Sequence, residues 1–351
     1  MANDAGSGYD IESYAWDIPD ELIAQNPAPR RDESRLMRVS RDDSGIETRC
    51  FSDLPSILRP GDLLVLNDAR VFRARVTAKK KPGGAAAEIF FLSPASEPNT
   101  WLALVRPGRK LPPGASVELA DGSVLDILER TDGSGRVIRL PGGMTPGELF
   151  RTHGLIPLPP YIKRSTADEE RYQTVYSDRL KERSAASPTA GLHFTRELLD
   201  ELARRGVGHE FITLDVGIGT FRPIKARDFR EHKMHSETCA VSAGAADRIN
   251  SAKAEGRRIV AVGTTVVRAL ESFADESGRL ACGEGITDIF ITPGYEFKVP
   301  DAIITNFHLP RSTLLLLVSA FAGYGLMRRA YAEAVARRYR FFSFGDAMLI
   351  E

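Results

Sequence analysis

In the second half of the chain, short apolar runs alternate with longer stretches in which apolar residues recur at helical spacing. Arg196–Arg205 is one such stretch, with leucines three or four residues apart and with Thr195 in position to cap its first turn. It leads into Phe211–Val216, a short run of apolar and β-branched residues that is typical of a buried strand. Because strands and helices keep alternating up to the end of the chain, the pattern predicts an α/β domain with polar loops at its strand ends.

Turn signals such as Gly206 and Pro60–Asp62 separate the predicted elements of this domain. Its predicted strands lie at Leu36–Val39, Leu63–Leu66, Tyr172–Tyr176, Phe211–Val216, Arg258–Val262, Thr287–Ile291 and Ile303–His308. Its predicted helices lie at Arg196–Arg205, Ala243–Glu255, Val266–Phe273, Thr313–Phe321 and Leu326–Arg337.

Between residues 71 and 149 the pattern changes to closely spaced short strands, separated by turns rich in proline and glycine. The predicted strands are Arg73–Ala78, Ala87–Leu92, Trp101–Val105, Ser116–Leu119, Val124–Leu128 and Arg136–Leu140. Such spacing, without a long helix, is typical of a small β-barrel or sandwich. The predicted fold is therefore an α/β host domain, residues 1–72 and 150–351, with a small all-β (β-barrel) domain inserted at residues 73–149.

Charge alone does not identify a partner, because the 351-residue chain has 47 basic and 47 acidic side chains and a net charge of zero. Basic residues still collect on predicted loops of the insert, at Lys79–Lys81 and at Arg106, Arg109 and Lys110, where they suit either solubility or a phosphate backbone. A second basic cluster, around Arg30 and Arg31, has acidic residues mixed into it. This pattern favours a solvated surface whose charges pair with one another.

The cysteine pattern and the apolar runs predict a cytoplasmic protein. Cys50, Cys239 and Cys282 lie far apart, which argues against a disulfide framework or a zinc cluster and fits a reducing compartment. The first residues have neither the basic nor the apolar region of a signal peptide. The most apolar run, Leu314–Phe321, is too short to span a bilayer, so we expect no membrane contact.

Leu214–Thr220, with the sequence LDVGIGT, is a strand end followed by a glycine-containing loop. It is similar to the glycine loop with which Rossmann-type methyltransferases bind S-adenosylmethionine, although Thr220 stands at the third glycine position and Arg222 follows. A tight turn explains the same residues. Gly263–Thr265 is a second strand-to-helix loop, and Asn306 and His308 lie at another strand end, where functional side chains often occur.

The histidines leave alternatives open. His193 suits either a general acid or base, or a buried ring that is hydrogen-bonded to backbone. His232 and His235 have a spacing that a metal site can use, but no third ligand is obvious beyond Glu237 or Cys239. We therefore expect no metal site.

Several longer motifs follow one another between Trp16 and Glu351. They are LLVLNDARV (63–71), PTAGLHFT (188–195), GTFRP (219–223), MHSE (234–237), AVGTT (261–265), TNFHLP (305–310) and FGDAMLI (344–350). Together and in this order they closely resemble the S-adenosylmethionine:tRNA ribosyltransferase-isomerase family of queuosine biosynthesis. That family is similar in having an α/β host domain with an inserted β-barrel.

The resemblance implies transfer of the ribosyl part of S-adenosylmethionine to 7-aminomethyl-7-deazaguanine at the wobble position of a tRNA with a GUN anticodon. The sugar becomes an epoxy-cyclopentanediol, which gives epoxyqueuosine, and adenine and methionine leave. S-adenosylmethionine is then a consumed substrate, and no cofactor is expected. The expected partner is tRNA, and the protein is expected to act as a monomer.

The implied chemistry needs a base for the proton next to the sulfonium, an acid or donor for the leaving adenine, and a pocket that excludes water. The candidates for proton transfer, with the first two preferred, are His193, His235, His308, Glu237 and Asp346. The candidates for binding S-adenosylmethionine are Thr189, Gly191, Gly217, Gly219, Thr220, Gly263, Thr264 and Thr265. The candidates for binding the tRNA or its base are Asn67, Asp68, Arg70, Arg222, Arg268 and Asn306.

Two positions depart from the family pattern. Asp215 stands where the family usually has histidine, and Ser187 replaces a common alanine. Asp215 removes a group that can be cationic and brings a carboxylate to the strand end, unless it faces solvent. We expect the family histidine to act indirectly, since the motifs on both sides of it persist.

Two other functions remain open on the sequence. A Rossmann methyltransferase that acts on RNA would release S-adenosylhomocysteine and no free adenine. A non-catalytic tRNA-binding module would retain tRNA without any dependence on S-adenosylmethionine.

Overall fold

The computed structural model describes residues 8–131, 135–217 and 223–351. The chain divides into a host unit, Met1–Arg70 with Pro159–Glu351, and an inserted unit, Val71–Leu158. The sequence predicts an insert of residues 73–149. The inserted unit starts two residues earlier and ends nine residues later, because residue 149 lies inside a helix of that unit, Pro146–His153.

Strands and helices of the described residues are numbered in chain order. The strands are β1 (Arg35–Val39), β2 (Ile46–Cys50), β3 (Leu63–Asn67), β4 (Arg70–Val71), β5 (Arg75–Lys81), β6 (Ala86–Pro94), β7 (Thr100–Arg106), β8 (Ser116–Glu118), β9 (Val124–Arg130), β10 (Gly135–Arg139), β11 (Gly154–Leu155), β12 (Glu182–Ser184), β13 (Gly208–Leu214), β14 (Glu237–Val241), β15 (Ile259–Val262), β16 (Gly283–Thr287), β17 (Ala302–Asn306) and β18 (Ala347–Ile350). The α-helices are α1 (Leu54–Ile57), α2 (Pro146–His153), α3 (Arg196–Arg204), α4 (Ala243–Ala254), α5 (Thr264–Phe273), α6 (Thr313–Ala322) and α7 (Tyr324–Ala336). None of these helices combines the length and the hydropathy that crossing a membrane requires.

The host unit is built on one mixed sheet with the strand order β16-β14-β13-β3-β15-β17-β18-β1-β2. The four strands β13, β3, β15 and β17 are parallel neighbours, and antiparallel strands flank them on both sides. Both faces of the sheet are covered, since Leu64 and Leu66 pack with α1 and α3 while Leu63 and Val65 pack with the helices of the other face. This double burial explains why β15 and residues 63–66 of β3 are uninterrupted apolar runs.

The sheet topology brings several polar segments to one edge. The four parallel strands end at this edge, and β14 and β18 begin there because they run antiparallel to their neighbours. Thus Leu214 lies opposite Cys239, and Asn306 lies opposite Ala347. Ligands of open α/β sheets bind at the carboxyl ends of the parallel strands, so this edge is where a site is expected.

The inserted unit is a closed antiparallel barrel. Its strands follow the order β5-β6-β7-β10-β9-β8, and β8 pairs back with β5 through Lys79–Lys81 and Ser116–Glu118. Alternate residues such as Val76, Ile89 and Leu125 are buried inside, as closure of a small barrel requires. The predicted β-barrel insert in an α/β host is therefore confirmed.

Two of the predicted strands are wrong. Tyr172–Tyr176 is not a strand: a 3₁₀-helix, Glu169–Tyr172, is followed by a turn. Residues 172–174 are buried but do not pair with a strand. Buried residues that are not in a strand can have the same apolar composition as a strand, and this led to the wrong prediction. The strand predicted at Thr287–Ile291 lies earlier, at Gly283–Thr287, because the ladder with β14 ends where Thr287 meets Glu237.

Candidate functional site

A pocket opens at the shared edge of the host sheet, where β15 and β17 end. Its walls are formed by residues 187–190, 263–265, 305–309 and 342–343, together with Tyr161, Val216, Ser312 and Leu314. The space between them, including the open mouth, is about 590 Å³. Four of the residues suggested for S-adenosylmethionine line this pocket: Thr189, Gly263, Thr264 and Thr265.

The helix α5 begins at the pocket wall, directly after β15. Gly263 has φ of +98°, a backbone conformation that favours glycine, and turns the chain from the strand into the helix. The first N–H groups of a helix have no partner inside it, so the residues Thr264 and Thr265 present donors there. The Thr265 hydroxyl is buried and has no hydrogen-bond partner among the described residues.

Ser187 offers a second unused hydroxyl in the same pocket. Its Oγ is buried and, within the described ranges, without a hydrogen-bond partner. A buried polar group without a partner costs free energy unless a ligand or a water satisfies it. The Ser187 and Thr265 hydroxyls therefore mark this pocket as one built for a polar ligand.

Asn306, at the end of β17, connects the pocket wall to His193. The Thr189 hydroxyl donates to Asn306 Oδ1 over 2.9 Å. The Asn306 Nδ2 group donates to the Phe342 carbonyl over 3.3 Å and to His193 Nε2 over 3.1 Å. Since the side-chain amide is an obligatory donor at that nitrogen, His193 Nε2 accepts and carries no proton of its own.

His193 is therefore held as a neutral ring. Its Nε2 lone pair already accepts from Asn306, and the ring packs against Phe51 with a centroid separation of 5.0 Å. Burial lowers the pKa of His193 to about 4, although the negative charge of Asp346 opposes this shift. The ring is buried and hydrogen-bonded, as one of the two predicted roles requires. The other role, proton transfer at Nε2, requires that the hydrogen bond from Asn306 be released.

His308 lines the pocket itself and is also neutral at pH 7. Its Nε2 shares a hydrogen bond of 2.8 Å with the Thr305 hydroxyl, and its backbone N–H donates to the Tyr331 hydroxyl. Burial lowers the pKa of His308 to about 3. Of the residues suggested for proton transfer, His308 is the one that borders this pocket.

The two buried histidines predict a loss of stability in mild acid. Both have folded-state pKa values below the value of about 6.5 for a free histidine, so the unfolded chain takes up protons that the folded chain does not. Stability is fully present above pH 6.5 and falls as the pH is lowered towards 4. At pH 5 each histidine should cost about 2 kcal/mol relative to pH 7.

Denaturant titrations at pH 7 and pH 5 measure this difference. The variant His308→Gln, which has no group that titrates in this range, should lose roughly half of the pH dependence. Equal free energies of unfolding of the parent protein at the two pH values would contradict the assignment of neutral histidines.

Glu237 and Arg268 form a buried ion pair beside the pocket. Each side chain is 2% exposed, and Arg268 Nη1 donates to Glu237 Oε2. The Gly217 N–H donates to Glu237 Oε1 over 2.8 Å, so the carboxylate also holds the end of the β13 segment. Arg268 Nη2 is buried and has no hydrogen-bond partner among the described residues.

The Asp346 carboxylate is also paired with arginine side chains. It accepts hydrogen bonds from the Arg35 backbone, from the Arg35 guanidinium and from the Arg340 backbone, between 2.8 and 3.2 Å. Since Arg35 lies at the start of β1 and Asp346 just before β18, the pair ties two neighbouring strands together at the site edge. Asp346 therefore stabilises the strands near His193. It is not among the residues that line the pocket described above.

Like Asn306 and Arg268, three further residues suggested for tRNA have internal partners. Asn67 bonds to the backbone N–H and carbonyl of Leu214, and so joins β3 to β13. Asp68 accepts from the Thr213 hydroxyl and pairs with Lys181. Arg70 pairs with Glu170. These contacts position the strand ends.

The structure does not bring every suggested residue together. His235 is exposed on the segment before β14 and does not line the pocket with His308. Gly219, Thr220 and Arg222 lie outside the described residues. Among the described residues, no three His, Cys, Asp or Glu side chains are arranged to hold a metal ion.

Asp215, where the resemblance predicts a histidine, is partly buried. Its Oδ2 lies 3.5 Å from Arg183 Nε, and its Oδ1 is buried without a partner in the described part of the chain. Burial raises the pKa of Asp215, and the positive charge of Arg183 opposes this shift. The carboxylate therefore faces a surface arginine, and it is not among the residues that line the pocket.

Gly191, also suggested for S-adenosylmethionine, has a packing role. A Cβ at this position would lie 2.0 Å from the Tyr176 hydroxyl, which is buried. We therefore expect Gly191→Ala to lower the free energy of unfolding by about 1 to 3 kcal/mol through overpacking. Gly147→Ala, whose Cβ meets no atom within 4 Å, is the matched control and should be near neutral in the same denaturant titration. Equal effects of the two substitutions would contradict the packing role. Adding Tyr176→Phe to Gly191→Ala should restore part of the lost stability, because it removes the hydroxyl that the new methyl group meets.

Sequence reasoning missed the second half of the wall. Tyr161 and Ser343, which share a hydrogen bond of 2.6 Å, line the pocket together with Phe342. Tyr161 and Ser343 are 182 positions apart, and no local pattern reports such a contact. Ser343 directly precedes the motif FGDAMLI (344–350), and this position was the available sequence signal for the second half of the wall.

Nearly the whole chain is similar to known proteins. A sequence model of the family described as "Queuosine biosynthesis protein" matches residues 11–350. A curated protein of Symbiobacterium thermophilum, named S-adenosylmethionine:tRNA ribosyltransferase-isomerase, is 53% identical over 341 residues, or 97% of this chain and 99% of that protein. A protein of the same name from Halothermothrix orenii is 49% identical over 341 residues, with the same coverage. The crystal structure of S-adenosylmethionine tRNA ribosyltransferase from Thermotoga maritima is similar with a TM-score of 0.54 and 38% identity, covering 96% of this chain and 99% of that one.

Proposed function

The chain belongs to the queuosine biosynthesis protein family, and on this premise we propose that it is an S-adenosylmethionine:tRNA ribosyltransferase-isomerase. The enzyme transfers the ribosyl moiety of S-adenosylmethionine to 7-aminomethyl-7-deazaguanine at the wobble position of tRNA and isomerises it. The products are epoxyqueuosine-tRNA, adenine and methionine.

The observation that carries the proposal for this chain's own site is the pocket at the ends of β15 and β17. S-adenosylmethionine has a carboxylate, a ribose and an adenine that all need hydrogen-bond partners. The start of α5 offers N–H donors that suit an anionic group. Thr265 and Ser187, whose buried hydroxyls have no partner among the described residues, line the same space. These features support binding of the substrate in this pocket.

The protonation state of the site suits a sulfonium. S-adenosylmethionine carries a fixed positive charge on sulfur, and a cationic histidine beside it would be repelled. His193 and His308 are both neutral at pH 7, because burial lowers their pKa values to about 4 and about 3. The pocket therefore accepts the sulfonium without an opposing charge from either ring.

We further propose that S-adenosylmethionine is consumed as the ribosyl donor and that no resident cofactor takes part. The tRNA substrate has a GUN anticodon, and the protein acts on it as a cytoplasmic monomer. Arg268 Nη2, which is buried and has no partner in the part of the chain that the structure describes, supports the proposal that this residue contacts the substrate.

Chromatography of the small molecules tests the proposed reaction. The protein is incubated with S-adenosylmethionine and with tRNA that carries 7-aminomethyl-7-deazaguanine. Equal amounts of adenine and methionine are expected, and neither should form when the tRNA carries unmodified guanine. S-adenosylhomocysteine in place of adenine would identify a methyltransferase, and retention of tRNA without any product would identify a binding module.

A further inference from the structure

Arg31 and Arg171 line a small second cleft on the side of His193 away from the pocket. The cleft is shallow and is also bounded by Pro27, Ser34, His193 and Ser343. Its volume of about 240 Å³ includes open solvent, and the space inside that a water molecule can enter is only about 10 Å³. Ser343 borders both this cleft and the pocket at the ends of β15 and β17. The hydrogen bond between His193 and Asn306 therefore lies between two openings.

The two arginines have no carboxylate within ion-pair distance among the described residues. Arg31 donates to the backbone carbonyls of Leu192 and Glu170, over 3.1 and 2.9 Å. Arg171 donates to the carbonyls of Pro29 and Ala28, over 3.0 and 2.6 Å. These carbonyl acceptors carry no charge, so both guanidinium charges remain unneutralised by a direct partner.

Donor capacity also remains on these side chains. A guanidinium has five N–H donors in a fork that matches planar or tetrahedral oxyanions. Each arginine uses two of its nitrogens on backbone carbonyls, and the Nε of Arg171 is buried without a partner in the described residues. Burial and the nearby charge of Arg171 lower the pKa of Arg31 to about 10, so it is still cationic at neutral pH.

Other arginines near the cleft are paired with carboxylates. Arg340 lies near His193 and donates to the Asn26 carbonyl, and its Nε lies 3.6 Å from Asp346 Oδ1, a carboxylate that also pairs with Arg35. The exposed Arg30 pairs with Asp32, and its side chain is 70% exposed. Arg31 and Arg171 are therefore the cations of this neighbourhood that have no ion pair among the described residues.

We propose that this cleft binds a phosphate group of the tRNA, and that this contact sets the position of the modified nucleotide relative to the His193–Asn306 bond. The inference rests on the proposed function, since tRNA is the polyanion that the enzyme acts on. The carboxylate of S-adenosylmethionine is the other oxyanion in the reaction, but the start of α5 offers that group donors in the first pocket. Arg31 and Arg171 are then binding residues of the tRNA, and the cleft is separate from the pocket for S-adenosylmethionine.

Arg171→Gln tests the proposal, with Arg30→Gln as the matched control that removes one charge from a neighbouring exposed position. Affinity for tRNA and affinity for S-adenosylmethionine are measured separately, each as a function of salt. Loss of one charge-assisted contact should weaken tRNA binding about tenfold. The slope of log K against log salt should also become shallower by about 0.7 to 0.9. Arg30→Gln should have much smaller effects, and neither variant should change affinity for S-adenosylmethionine.

A second measurement keeps the test independent of the fold of the variant. Single phosphates of the tRNA anticodon arm are replaced one at a time by neutral methylphosphonates. One position should weaken binding to the parent protein about tenfold, and the same replacement should have little further effect on Arg171→Gln, which has no charge left at this position.

Three results would overturn the inference. They are the same tRNA affinity and salt slope for Arg171→Gln and Arg30→Gln, a loss of affinity for S-adenosylmethionine instead of tRNA, or a methylphosphonate scan without a sensitive position that couples to Arg171. If the parent protein releases no adenine with its tRNA, the proposed function fails instead. The binding data report on the cleft in either case.

Discussion

Replacing Arg268 by alanine is expected to lower the free energy of unfolding by about 3 to 5 kcal/mol. Glu237 and Arg268 are both 2% exposed, so the substitution leaves a carboxylate buried without its cation. The free-energy cost comes from the desolvation of that unpaired charge. Breaking a surface ion pair such as Arg49 with Glu47 should cost almost nothing, because water solvates the remaining charge. Denaturant titration at pH 7 measures the loss.

A double variant separates the lost charge from the lost volume. Arg268→Met with Glu237→Gln removes both charges and keeps side chains of similar size, and the glutamine can still accept from the Gly217 N–H. It should recover most of the stability that Arg268→Ala loses, because no uncompensated charge remains. A double variant as unstable as Arg268→Ala would show that shape and not charge is what the pair supplies.

The second large effect is expected in turnover. Asn306→Ala removes the side chain that bonds to Thr189, His193 and the Phe342 carbonyl, three groups in or beside the pocket wall. Without it the wall can shift by a fraction of a hydrogen-bond length, and displacements of about 1 Å in a reacting geometry cost roughly a hundredfold in rate. We expect kcat/KM for S-adenosylmethionine to fall by about that factor.

Asn250 provides the matched control for this prediction. Like Asn306, it bonds to backbone groups of a distant segment, the N–H and the carbonyl of Leu280, but it lies in α4 and does not line the pocket. Asn250→Ala should therefore cost stability and leave kcat/KM unchanged. Comparable losses of kcat/KM in the two variants, at temperatures where both are folded, would show that the effect of Asn306 is one of stability alone.

Much of the fold was predictable because burial, alternation and helix capping leave patterns among residues that are close together in the sequence. β3 and β15 are buried on both faces, and so β15 and residues 63–66 of β3 are apolar throughout. In the barrel one face is exposed, and alternation with turn residues marked its strands. The cap on α3 was predictable for the same reason, since the Thr195 hydroxyl accepts from the Leu198 N–H three residues away.

The connections of the site were not predictable in this way. Asn306 bonds to groups 113 and 117 positions away in the chain, and Arg35 pairs with Asp346 across 311 positions. No periodicity in the sequence reports such contacts. The family resemblance located the segments, but it did not indicate that His193 would be an acceptor or that Asp346 would be held by arginine.

The basic cluster near the N-terminus shows how charge patterns mislead. The mixture of arginines and acids predicted a surface whose charges pair with one another, and Arg30 does pair with Asp32. Its neighbour Arg31 instead turns inwards to the carbonyls of Leu192 and Glu170. Whether an arginine pairs on the surface or lines a cleft depends on which distant segment packs against it.

The fate of the ribosyl carbons tests the central claim most directly. Two samples of S-adenosylmethionine, one labelled in the ribose and one in the S-methyl group, are each incubated with the protein and the modified tRNA in a single turnover. The account predicts that the ribose label appears in the tRNA in a ratio of about one to one with released adenine, while the methyl label stays in free methionine. Methyl label in the tRNA, with the ribose label left in solution, would contradict it.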